Sequence, residues 1–471
     1  MKIPAQGASG GQVLEALEAY ASDDFDWKSG RAFGHVFNID PELQRVAMTA
    51  YERFMTPNAI NPGMFPSAVK LENDVVRMVA SHLHGGEGVV GNFTSGGTES
   101  IMLAVKAARD YARSRRRDLG RPALVLPETA HPAFPKAAAF LDMEVIAVPV
   151  SRDGFTADVA AMAAAITPDA VMLVGSAPSY PHGVIDPIED LAGLAAERDL
   201  WMHVDACMGG VTLPFLEALG EPIAPFDFRV DGVTSLSVDL HKYGFCPKGA
   251  SVVLHRDKGY RFHQIYACAS WPGYPLVNTT VQSSRSLGPV AAAWSVLNLL
   301  GQDGYRDVIG RLRATTLTLA RGVDAIEGLE VLAPPASTLL AFAPSDGSQR
   351  AYRLADAMAR RGWGLHPQPA WAGAPPSLHL TVQPPNIGGE AAFLGDLTAA
   401  WAEVAAIPWT PPQLPTLSGA TGGDIGGLIA SMGVSDDAVP GEMATINEVM
   451  ELMPPPMRET LLAHFVNGMY R

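Results

Sequence analysis

Between Gly91 and Arg256 short apolar runs alternate with amphipathic stretches, and this alternation constrains the fold more tightly than any other feature of the chain. Strands are predicted at 123–127, 144–149, 170–176, 201–205, 235–238 and 251–255, with helices at 98–117, 131–141, 159–165 and 188–197 interspersed. A strand reached through a crossover helix enters the sheet in the same direction as the one before it. Such a sheet is largely parallel and needs cover on both faces. The expected fold class is α/β, with a large domain built on a mostly parallel sheet.

The flanks have a different texture. Helices are expected at 12–20, 41–54 and 68–84, and the Pro- and Asn-rich stretch 57–66 interrupts regular structure between the last two. Residues 289–300 read as the start of a long helix leading out of the large domain. A smaller mixed pattern follows, with helices at 315–326 and 350–361 and strands at 329–332, 339–342 and 377–382. The stretch 408–423, dense in Pro, Thr and Gly, reads as a linker, and tail helices are expected at 426–432 and 457–469. The chain thus divides into an N-terminal arm (1–56), a large domain (57–305), a smaller α+β C-terminal domain (306–408) and a linker with tail helices (409–471).

Composition narrows the function. The chain has 471 residues, 34 Lys+Arg against 49 Asp+Glu, a formal net charge of −15 and 48% hydrophobic residues. That hydrophobic content excludes a disordered polymer. The acidity disfavours nucleic acid and anionic membranes as partners, because both require a basic face. No run approaches the ~20 apolar residues that cross a bilayer, and the N-terminus lacks the apolar core of a leader. Cys207, Cys246 and Cys268 form an odd set without Cys-x-x-Cys spacing. This argues against a disulfide framework or structural zinc and points to a reducing compartment, the cytoplasm.

Three strings carry chemistry. In Ser237-Val238-Asp239-Leu240-His241-Lys242-Tyr243-Gly244 a lysine follows a buried strand. Desolvation there is expected to lower its pKa and free some of the amine to condense with an aldehyde. In Thr94-Ser95-Gly96-Gly97-Thr98-Glu99-Ser100 two glycines precede a helix, whose first N–H groups can hold a phosphate; an ordinary capped helix start is the plainer reading. In Trp201-Met202-His203-Val204-Asp205-Ala206-Cys207 an aspartate ends an apolar strand, where the carboxyl ends of an open α/β sheet face the ligand crevice. A carboxylate in that place can hold a protonated pyridine nitrogen. A metal role for His203 and Asp205 competes, but no second cluster stands at metal-ligand spacing and no metal is expected.

The order of these strings, joined by Ala130-His131-Pro132-Ala133-Phe134 and by the run from Gly175 to Pro187, resembles the fold-type I pyridoxal-phosphate enzymes. More narrowly it resembles the sphingosine-1-phosphate lyase-like family of the group II pyridoxal-phosphate-dependent decarboxylase superfamily, over roughly 30–300. The resemblance implies pyridoxal 5'-phosphate as cofactor. Lys242 would be the lysine that forms a Schiff base with it, Asp205 the partner of its ring nitrogen, His131 the residue stacked on its ring and Ala206 the contact on the opposite face. Gly97, Thr98 and His241 would cradle its phosphate. Ser284 would reach the site of a neighbouring subunit, which implies a homodimer with shared active sites. Lys242 and Tyr243 are the candidate acids that return a proton to Cα.

Two departures bear on the substrate. The family has Gly-x-Val-Tyr where this chain has Gly34-His35-Val36-Phe37, and Asn-Pro-Leu-His-Pro where it has Asn58-Ala59-Ile60-Asn61-Pro62. Phe37 and Asn61 therefore replace groups that could hold a phosphate or shuttle a proton, whereas Lys248 remains as a contact for an anionic substrate group or as a solvated loop lysine. The leading expectation is a carbon–carbon lyase that cleaves at Cα of a small amine or amino acid and releases an aldehyde. An amino-acid decarboxylase is the alternative, and a non-catalytic homologue serving as a binding protein is a third reading.

Overall fold

The computed structural model describes residues 2–37, 40–371, 373–408 and 441–470. The expected linker at 408–423, apart from its first residue, and the expected helix at 426–432 lie outside the described residues. The arm supplies α1 (Gly10–Tyr20) and α2 (Pro41–Phe54), and α3 (Pro66–His82) follows it. Ser9 and Gln12 cap α1 reciprocally, yet none of its side chains is buried. Asp40 caps α2 by accepting the Leu43 N–H, and Pro41 occupies the first turn, where its missing N–H costs nothing.

The central sheet has seven strands: β1 (Val90–Thr94), β2 (Ala123–Pro127), β3 (Glu144–Val148), β4 (Ala170–Ser176), β5 (Trp201–Asp205), β6 (Val233–Asp239) and β7 (Ser251–His255), in the order β1-β7-β6-β5-β4-β2-β3. Every residue of β4 to β7 is buried, as a sheet covered on both faces requires. The pairs among β2 to β6 are parallel, and β7 alone runs against both its neighbours. The reason is length. Only residues 240–250 separate β6 from β7, too few for a crossover helix, so the chain turns straight back.

The helices α4 (Gly97–Arg115), α5 (Ala133–Phe140), α6 (Val159–Ala165), α7 (Ile188–Glu197), α8 (Gly209–Ala218) and α9 (Lys258–Phe262) flank the sheet, and a two-stranded hairpin, β8 (Tyr266–Cys268) with β9 (Leu276–Asn278), follows. The next element, α10 (Gly288–Asp324), runs on through the region where a separate helix at 315–326 was expected. It is interrupted only at Gly301, whose φ of 56° lies outside the helical region. The second sheet comprises β10 (Leu329–Val331), β11 (Leu339–Pro344), β12 (His366–Gln368) and β13 (Ser377–Thr381), ordered β10-β11-β13-β12 and antiparallel throughout. Among the described residues the remaining α-helices are α11 (Arg350–Ala359), α12 (Glu390–Ala405), α13 (Ala444–Glu451) and α14 (Pro455–Met469). Among the described residues no helix is long and apolar enough to cross a membrane.

Candidate active site

Four strands that run in one direction end at the same edge of the large sheet: β1 at Thr94, β4 at Ser176, β5 at Asp205 and β6 at Asp239. A cavity of about 380 Å3 opens there, lined by Gly97, Thr98, His131, Tyr180, Asp205 and Lys242 among others. The chain thus delivers its charged groups to the crevice beyond the strand ends, as open α/β sheets do.

Lys242 follows β6 and points its Nζ back to Asp239 Oδ2, at 2.9 Å. This corrects the expectation for its pKa. Burial does work to lower it, but Asp239, Cys207 and Asp205 outweigh that effect and hold the ammonium above the ordinary lysine range. The free amine therefore forms only once the Asp239 contact is loosened or neutralised. Asp239 is itself buried; desolvation would raise its pKa, but Lys242 and His241 keep it below the usual carboxylate range.

Asp205, also buried, accepts from the Cys207 N–H at 3.1 Å and the Ser237 hydroxyl at 3.2 Å, both at Oδ1. Its second oxygen is thus left for whatever enters the cavity. The His131 Nδ1 accepts the Ala133 N–H at 3.1 Å, so the residue starts α5 and lines the cavity at once. Desolvation lowers its pKa despite the nearby Asp205, which keeps the ring neutral with its proton on Nε2.

At the start of α4 close approach is essential. A Cβ on Gly97 would lie 2.8 Å from both Asp239 Oδ2 and Cys207 Sγ, so only glycine admits the helix terminus to the cavity. Gly96 adjoins the ring of His241. Glu99 is fully engaged: its Oε2 accepts from the N–H and hydroxyl of Ser95, its Oε1 from the backbone of Val281 and Gln282.

Other expected site residues fall elsewhere. Tyr243 is almost fully buried, and its hydroxyl donates to the Val382 carbonyl at 2.8 Å, away from the cavity; it cannot be the acid. Ala206 is fully buried and absent from the cavity wall, where its neighbour Cys207 stands instead; the strand-end turn places the wall one residue later. Ser284 accepts from Asn58 Nδ2 at 3.2 Å and is not in this chain's cavity. Asn61 lines a separate cavity with Glu72, Asn92 and Arg285. Phe37 packs edge-on against Tyr243, with ring centroids 5.0 Å apart, and Lys248 lies 5.2 Å above the Phe37 ring.

Two residues were missed. Tyr180 lines the cavity, its phenol raised by burial against a hydrogen bond with Thr381. Asp239 controls the lysine. Each lies in the turn after a strand or at its last residue, the position that singled out Asp205.

The donor set suits pyridoxal phosphate. The glycine-lined start of α4 with Thr98 and His241 would take the phosphate, the open oxygen of Asp205 the ring nitrogen, the neutral ring of His131 a face of the cofactor, and Lys242 its aldehyde.

Comparison with known proteins agrees. Residues 48–344 match the pyridoxal-dependent decarboxylase conserved domain, and residues 398–468 match the C-terminal putative HTH domain of pyridoxal-dependent enzymes. The sphingosine-1-phosphate lyase 1 of Rattus norvegicus is 40% identical over 381 residues, 81% of this chain, and this chain spans only 66% of that protein's length. A probable L-aspartate decarboxylase of Pyrococcus furiosus is 31% identical over 78% of this chain and 95% of its own. Among solved structures, the sphingosine-1-phosphate lyase of Burkholderia pseudomallei K96243 superposes with a TM-score of 0.81 at 36% identity, covering 86% of this chain and 93% of that one.

Proposed function

Because the chain belongs to the pyridoxal-dependent decarboxylase family, and within it to the sphingosine-1-phosphate lyase-like members, we propose that it is a pyridoxal-phosphate-dependent carbon–carbon lyase that cleaves at Cα of a small amine or amino acid and releases an aldehyde. The observation that carries this reading is the convergence of Lys242, Asp205, His131 and Tyr180 on one cavity beside the start of α4.

When bound, the cofactor supplies the sink for the electrons of the breaking bond. The protein supplies orientation and protons. Asp205 is held in place by two donors on Oδ1. The buried phenol of Tyr180 keeps its proton at neutral pH and can lend it, while Asp239 holds the Lys242 ammonium across a single hydrogen bond. A neighbouring cavity of about 390 Å3 shares His131 and Tyr180 and has Phe155, Pro181 and Trp371 in its wall. It supports room for an apolar substituent on the substrate.

The exposed Ser284 and the exposed aromatic side chains Tyr266, Trp271 and Tyr274 nearby support a homodimer in which the 279–285 segment faces the partner's site. Three unbridged cysteines support a cytoplasmic location. The segment matched as a putative HTH domain has one basic residue, Arg458, against Glu403, Asp424, Asp436, Asp437, Glu442, Glu448, Glu451 and Glu459. That balance repels a phosphate backbone and supports a structural role for the segment.

A decarboxylase is the second reading, favoured by Phe37 and Asn61 and by the aspartate decarboxylase relative. Incubating the holoenzyme with amino acids and with phosphorylated β-hydroxy amines, and assaying aldehyde and CO2 separately, decides between them. Aldehyde without CO2 establishes the lyase, CO2 without aldehyde the decarboxylase. Neither product, with no cofactor band, leaves the binding protein.

A further inference from the structure

Strands β5 and β6 place an unusual line of polar side chains inside the sheet. Residues two apart on a strand share a face, so Trp201, His203 and Asp205 of β5 lie along one line and Ser235 and Ser237 of β6 along another. The parallel register pairs His203 with Ser235 and Asp205 with Ser237. All five are buried, His203, Ser235 and Ser237 completely. An apolar filling would be the ordinary choice at these positions, and polar groups survive there only when every one finds its partner.

The partners form a chain. Trp201 Nε1 lies 2.7 Å from Ser235 Oγ, Ser235 Oγ 2.7 Å from His203 Nδ1, His203 Nε2 3.2 Å from Ser237 Oγ, and Ser237 Oγ 3.2 Å from Asp205 Oδ1. Its two ends fix its direction. An indole N–H can only donate and a carboxylate can only accept. Trp201 therefore donates to Ser235, Ser235 to the Nδ1 of His203, the Nε2–H of His203 to Ser237, and Ser237 to Asp205. One tautomer of His203 satisfies every bond, and burial, which lowers the His203 pKa to about 4, keeps the ring neutral and able to act as acceptor and donor together.

We propose that Trp201, Ser235, His203 and Ser237 form a one-way hydrogen-bond relay that orients the Asp205 carboxylate, which makes His203 a positioning residue for the cofactor's ring nitrogen. The relay commits Ser237 as a donor, and with the Cys207 N–H it loads both bonds onto Oδ1, so that the other oxygen serves the ligand. Without His203, Ser237 loses the donor that orders its hydroxyl, and Asp205 becomes free to turn. The inference rests on the cofactor and is independent of which bond is cleaved, because it is read on the cofactor itself.

The test compares the holoenzymes of His203→Leu, His203→Gln and Ser237→Ala with wild type, measuring pyridoxal phosphate dissociation, the absorbance and circular dichroism of the bound cofactor, and turnover of whichever substrate is active. Gln carries an N–H donor at about the reach of Nε2, whereas Leu fills the space without one. Expected is a rise of about tenfold or more in the cofactor's dissociation constant for His203→Leu and Ser237→Ala, together with an altered bound-cofactor spectrum, and substantial recovery in His203→Gln. Where turnover is measurable, kcat falls more than KM changes. Wild-type cofactor affinity and spectrum in His203→Leu or Ser237→Ala would overturn the relay. So would equal losses in Leu and Gln variants that both retain native circular dichroism, because packing alone would then explain the site. Should His203→Leu fail to fold, the smaller Ser237→Ala change decides on the same cofactor readouts.

Discussion

Lys242 Nζ lies 2.9 Å from Asp239 Oδ2, and His241 Nε2 stands 3.7 Å from the same oxygen. This buried carboxylate is the largest of the influences that raise the Lys242 pKa against burial, and the lysine stays protonated well beyond neutral pH.

Capture of pyridoxal phosphate by the apoenzyme should therefore accelerate as pH rises, because the ammonium must lose its proton. In Asp239→Asn, which keeps the shape and removes the charge, the lysine pKa falls and the rate profile shifts to lower pH. Stopped-flow measurement of the cofactor band at about 420 nm checks this. An unshifted profile would remove Asp239 from control of Lys242, and Lys242→Ala should show no such band at any pH.

At Gly97 the prediction is steric. Gly97→Ala places a methyl group 2.8 Å from Asp239 Oδ2 and Cys207 Sγ, an overpacking of about 1–3 kcal/mol. Thermal unfolding should report the lost stability, and pyridoxal phosphate titration a weakened phosphate grip. A variant as stable and as tightly loaded as wild type would show that the helix start can retreat.

The two tyrosines near the site should separate cleanly. Tyr243→Phe loses the hydroxyl that donates to Val382 and leaves a buried carbonyl without that donor, costing about 1–3 kcal/mol in stability with little effect on turnover. Tyr180→Phe, which gives up a hydrogen bond with Thr381, should cost no more stability than Tyr243→Phe but reduce turnover by at least about tenfold, the usual scale of a lost proton-transfer group. The reverse pattern in paired unfolding and turnover assays would exchange their roles.

Acid should unfold the protein through its buried histidines. Burial depresses His182, His203 and His255 to about 4 and His379 to about 3, against 6.5 when unfolded. Between those values the unfolded chain binds more protons, so stability is full above about pH 6.5 and is lost as pH falls toward 4. Asp186, pushed up to about 6 by burial, acts in the opposite sense over pH 3.8–6 and offsets part of the loss. Tm measured from pH 7.5 to 4.5 should fall by several degrees or more, and His255→Gln, which keeps a partner for Gln264, should flatten the curve. A flat wild-type curve would mean that these rings are not neutral in the fold.

Much of this was legible in the sequence because apolar alternation and strand-end residues report on local positions. Strands such as Ala170–Ser176 and Trp201–Asp205 lie at the predicted residues, and Lys242, Asp205, His131 and Gly97 line one cavity. Strand β1 escaped because Gly91 and Asn92 carry poor strand propensity. Gly91 is there because a Cβ would meet the Val253 carbonyl at 2.3 Å, and Asn92 because it donates to Glu72 across the fold. The same applies to Tyr243 and to the lysine pKa. A hydroxyl bound to Val382 and an amine bound to Asp239 are settled by which groups the turn brings together, and adjacency in sequence does not reveal that.

Glu99 divides its carboxylate between two loops, one oxygen serving Ser95 just before α4, the other the backbone of Val281 and Gln282. Neither loop can shift away from the other without leaving one oxygen of this largely buried carboxylate unpaired, so a single side chain fixes the distance between them.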